Sequence, residues 1–71
     1  MLDTVAVLII LNAAGQTAAP PVTMDQRTTY ADCQRAAAEH RPTPDPYVLI
    51  ARESGYKAAA SAHLICQRVG R

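Results

Sequence analysis

Two cysteines and two histidines are the residues of this chain best suited to chemistry, and their spacing leaves several outcomes open. Cys33 and Cys66 could close a disulfide around a loop of about 30 residues, adding roughly 3 kcal/mol in the chain-entropy model. They could instead stay as two buried thiols packed like small hydrophobes, as suits a cytosolic protein. A third arrangement adds His40 and His63, giving two thiolates and two imidazoles around zinc. The spacing is not that of a zinc finger, and if residues 63–66 form a strand, His63 and Cys66 point to opposite faces. No metal site is therefore expected.

Cysteine catalysis would need a lowered thiol pKa in an accessible cleft, an orienting group and an oxyanion donor. Nothing in the sequence supplies that set. Glycine loops for phosphate are absent, and the carboxylates have no pairing interval, so the chain is expected to be neither an enzyme nor a cofactor binder.

The elements that would position the cysteines come from a chain of 71 residues, enough for a single domain over 1–71. At this size a core alone contributes only a few kcal/mol of net stability, so a fastener is expected. The apolar fraction of 49% is rich in alanine and includes neither Phe nor Trp. Large aliphatic side chains gather at Val5 to Leu11, at Val22 and Met24, at Val48 to Ile50, and at Leu64 and Ile65, which are the expected core.

The uninterrupted run Val5 to Leu11, stopped by Asn12 and Gly15, suits a central strand buried on both faces. Pro20 and Pro21 confine any second strand to an edge near Val22 to Met24, so 1–26 reads as a β-hairpin. Thr28 or Thr29 can cap a helix over 28–41 that begins near Tyr30, has Asp32 in its first turn, and turns Cys33, Ala36, Ala37 and His40 inward. Pro42 and Pro44 would stop it. Asp45 and Pro46 are a good helix start, yet residues 46–54 could be helix or strand. A terminal strand is expected over 63–69. The fold class is thus α+β, a small antiparallel sheet of ββαβ type covered by one or two helices.

Those residues carry a resemblance. An opening strand ending in Leu11-Asn12-Ala13-Ala14-Gly15, a second near Val22-Thr23-Met24, then Tyr30-Ala31-Asp32-Cys33 with Ala36-Ala37-Ala38, and a late Leu64-Ile65-Cys66 resemble small ββαβ proteins of phages and prophages. Residues 41–62 would be an insertion in that pattern. The resemblance implies an accessory role through protein contacts, such as inhibition of a bacterial defence complex in the manner of an anti-CRISPR protein, or a minor virion part. It carries over no catalytic residues.

A rival reading is all-α. Ile50 to Ile65 resembles a helix-turn-helix in which Ala51 packs between helices, Gly55 permits the turn and Lys57 to His63 start a recognition helix, giving a DNA-binding unit on residues 46–69. Against it, three alanines stand where base-reading side chains belong. Seven basic and six acidic residues leave a net charge of +1, without the basic stripe that phosphate binding favours. A protein partner is therefore expected ahead of nucleic acid, with Tyr47, Arg52 and Tyr56 as contact candidates. The apolar run near the N-terminus is too short to span a bilayer. It could be a signal segment cut near Gly15, giving an exported disulfide-bonded protein, but no Lys or Arg precedes it, and a bacterial cytoplasm is the first expectation.

Overall fold

A computed structural model describes residues 2–41 and 45–69. The apolar run forms β1 (Thr4–Leu11), whose branched side chains suit a strand with neighbours on both sides. β2 (Val22–Thr23) pairs with it antiparallel, Leu8 opposite Val22. β3 (Ser61–Arg68) pairs with it antiparallel along its whole length, from Thr4 opposite Arg68 to Leu11 opposite Ser61. The sheet order is β2-β1-β3. With two helices added, the chain is α+β, and the all-α alternative is overturned.

Local chemistry explains the connections. Asn12 Oδ1 accepts from the backbone N–H groups of Ala14 and Gln16, both at 2.9 Å, and Gly15 at φ +82° takes the left-handed position. Pro20 and Pro21 stand directly before β2 and limit that edge to two residues. The chain still runs beside β1: Met24 N donates to the Ala6 carbonyl at 2.8 Å, and Thr4 and Thr28 exchange backbone bonds of 3.0 and 2.8 Å.

Thr29 caps α1 (Tyr30–Glu39), its Oγ1 accepting from Asp32 N at 3.1 Å. The inward face is narrower than expected. Cys33 is buried and Ala37 and His40 are half-buried, but Ala36 is exposed, because the face in contact follows positions 33, 37 and 40 at helical spacing. The helix stops at Glu39, with His40 as its cap, instead of reaching 41. The stop expected from Pro42 and Pro44 lies outside the described residues.

α2 (Pro46–Glu53) settles the segment that could have been helix or strand. Asp45 decides it: Oδ1 accepts from Tyr47 N at 2.8 Å as the cap, while Oδ2 accepts from His40 Nε2 at 2.7 Å. One buried carboxylate thus starts α2 and holds the residue that caps the C-terminus of α1. Asp45→Ala is expected to lose about 2 kcal/mol in chemical denaturation, from the cap and the charge-assisted bond together. Asp45→Asn, which keeps a capping oxygen, should lose less; equal losses would count against the cap.

The recognition helix of the rival reading does not form. Gly55 at φ +109° ends α2, Ala59 N donates to the Tyr56 carbonyl in a turn, and Ala60 N donates to the Leu11 carbonyl at 2.8 Å. From Ser61 the chain is strand, so β3 begins two residues before the expected 63. Pairing with β1 and full burial of Ala62 override the helical preference of the alanines.

Both helices cover the same face of the sheet. Leu8, Ile10 and Ala62 meet Val48, Ala51, Ala19 and Ala59 in the main core, and Cys66, one of the even-numbered residues of β3 on that face, is joined to Cys33 of α1. Two parts of the expected core are corrected. Of the expected stretch Val48 to Ile50 only Val48 is buried, while Leu49 and Ile50 are exposed; in β3 Leu64 is half-buried and Ile65 is exposed. Alternation along β3 sends Ile65 to the face away from the helices.

Candidate functional site

The cysteines do not make a reactive centre. Cys33 and Cys66 are bonded to each other, so neither sulfur is a thiolate available to a metal or substrate. His40 is held by Asp45, and His63 lies on the opposite face from Cys66, hydrogen-bonded to Ser61 Oγ at 2.9 Å. The four residues weighed as zinc ligands are therefore not brought together. Among the described residues, no three His, Cys, Asp or Glu side chains converge on a point.

A different feature stands out beside α2. After Pro46 its eight residues continue Tyr47-Val48-Leu49-Ile50, and four consecutive apolar side chains go all the way round a helix with 3.6 residues per turn. One face takes Val48 and Ala51 into the core. The others must look elsewhere: Leu49 is 60% exposed and Ile50 54%.

Tyr47, Ile50 and Tyr56 form one wall of a groove, and Pro20, Pro21 and Val22 form the other. Ile10 and Ala51 line it as well, and its volume is about 240 Å³. That is below the roughly 300–1,000 Å³ of sites that enclose small molecules and cofactors. An inserted apolar side chain is a better match in size and chemistry. The Tyr47 hydroxyl reaches Met24 Sδ at 4.0 Å, and Tyr56 is 42% exposed.

Two of the three contact candidates, Tyr47 and Tyr56, thus share one site. Arg52 does not line it: its Nε donates to the Ala59 carbonyl at 2.7 Å and ties α2 to the chain entering β3. Sequence reasoning missed Pro20, Pro21 and Ile50 as groove residues, reading the prolines only as ladder breakers and Ile50 as core. The signal was present in the unbroken apolar run, which a one-sided helix cannot bury.

Comparison with protein-family models, with curated proteins and with solved structures gives no match. The surface chemistry of the chain itself is therefore what bears on function. Among the described residues, no helix is long and apolar enough to cross a membrane.

Proposed function

We propose that this chain is a small non-catalytic accessory protein of phage or prophage type that acts by binding another protein through the groove beside α2. The targets that fit such a protein are a bacterial defence complex, which it would inhibit, or a neighbouring virion component. The single observation that carries the binding reading is the exposure of Ile50 and Tyr56 in an apolar groove lined also by Tyr47, Pro20 and Pro21. The phage assignment rests on the sequence pattern alone.

The occupant is a protein segment that inserts one aliphatic or aromatic side chain between the prolines and Tyr56. Tyrosine offers large contact area at small entropic cost and is enriched where binding energy concentrates. The charges nearest in sequence are mixed, with Arg52, Glu53 and Lys57 all exposed, which gives no general attraction to nucleic acid.

The test begins with recovery of the tagged chain and its partner from the bacterial host, followed by direct titration of the purified pair. Ile50→Asp should weaken binding by at least about 30-fold, the loss expected of a central contact. Lys57→Ala, outside the groove, should change it less than about threefold. Equal affinity for wild type and Ile50→Asp would sink the groove as the contact surface.

The disulfide supports a second reading, residence in an oxidising compartment. Thiol labelling of protein taken directly from its host separates the two: two blocked cysteines support export, and two labelled ones the cytoplasm.

A further inference from the structure

We infer that β3 is a dimer interface, pairing antiparallel with β3 of a second copy of this chain to build one continuous six-stranded sheet. The inference concerns a surface separate from the groove and goes beyond the binding reading above.

The ladder shows which backbone groups are free. Val69 N donates to the Asp3 carbonyl at 2.8 Å, in the register that sets Arg68 opposite Thr4 and Ile65 opposite Val7. In an antiparallel ladder the bonding direction alternates, so Ser61, His63, Ile65 and Gln67 bond toward β1. Ala62, Leu64, Cys66 and Arg68 aim their N–H and C=O groups outward. Among the described residues, no backbone bond from outside the sheet reaches these four.

The two edges of the sheet are treated differently. β2 is two residues long and follows two prolines, both common ways of blunting an edge. β3 is eight residues long, with neither proline nor lysine. Its one charged side chain, Arg68, does not guard the edge, because its guanidinium carbon sits 4.5 Å from the centre of the Tyr30 ring of α1. An exposed edge of this length and composition is a template for another strand.

The strand is complementary to itself. A two-fold axis at Ile65 sets Ile65 against its own copy, Leu64 against Cys66, His63 against Gln67 and Ala62 against Arg68. All four outward-bonding residues find partners in that register, and no like charges stand opposite each other. Ile65, 46% exposed in one chain, falls at a non-hydrogen-bonded position, where facing side chains approach most closely. The pairing also brings the exposed Ile65 of each copy together on the face away from the helices, beside Val5 and Val7, which are already buried within one chain.

Sedimentation equilibrium on the oxidised full chain should show a mass rising with concentration from 7.6 kDa toward twice that value. Amide exchange should track it. The N–H groups of Ala62, Leu64, Cys66 and Arg68 gain protection as concentration rises, whereas those of His63, Ile65 and Gln67 are protected throughout. Ile65→Lys, which sets two ammonium groups face to face on the axis, should raise the dissociation constant at least tenfold while the dilute monomer melts as before. A mass of 7.6 kDa up to about 1 mM with freely exchanging outward amides would overturn the inference, leaving the edge to a strand from another protein. So would a dimer in which those four amides stay unprotected.

Discussion

Reduction of the Cys33–Cys66 bridge is expected to lower the melting temperature by on the order of 20 °C, read by circular dichroism with and without a phosphine reductant. The bridge spans 33 positions of sequence, for which the chain-entropy model places its contribution at roughly 3–4 kcal/mol. A chain of this length has a total stability of roughly 4–10 kcal/mol. One cross-link thus contributes a large fraction of it. The position matters as much as the loop length, since α1 turns Cys33, Ala37 and the capping His40 inward and buries no large aliphatic side chain of its own. The reduced protein should lose α1 packing first, with the β1–β3 ladder holding longer. Cys33→Ser with Cys66→Ser should match the reduced wild type; a shift of less than about 5 °C in both would mean the remaining contacts suffice.

The bridge was legible as one of three readings because size alone called for a fastener, and Cys33 stood on the inward stripe of a helix with clear boundaries. Thr29, one of two candidates with Thr28, and Asp45 were legible for the same kind of reason: a cap is local chemistry, written within a few residues. What could not be read was anything decided by a distant strand. Ser61 and Ala62 follow a run of alanines that favours helix, and they became strand through their pairing with Leu11 and Ile10. Leu49, Ile50 and Ile65 were counted as core because apolar runs without period do not reveal which member faces inward. That same ambiguity hid the groove, which needs the rotation of α2 and the return of Pro20 and Pro21 beside it. The Arg68–Tyr30 contact joins residues far apart in sequence and has no local signature.

Removal of residues 1–15, the product of cleavage after Gly15, is expected to abolish folding altogether. β1 is the centre of the sheet, flanked by both other strands, so its loss leaves β2 and β3 with no neighbour to pair with. It also takes Leu8 and Ile10, the largest side chains of the main core, each only 2% exposed. What remains has alanines, Val48 and half-buried residues to bury, and the bridge closes a loop but cannot supply missing apolar area. The truncated chain should show a disordered far-ultraviolet spectrum and no cooperative melting, even when oxidised. Leu8→Ala grades the same effect, with an expected loss of about 2–5 kcal/mol for a truncated core leucine. Against a total of roughly 4–10 kcal/mol, that variant should be partly unfolded at body temperature and rescued in part by the bridge. A folded, cooperatively melting fragment 16–71 would mean that a second arrangement of β2, β3 and the helices exists without β1. It would also make export with cleavage at Gly15 compatible with a stable product, whereas the geometry here makes the apolar N-terminal run the strand on which every other element is assembled.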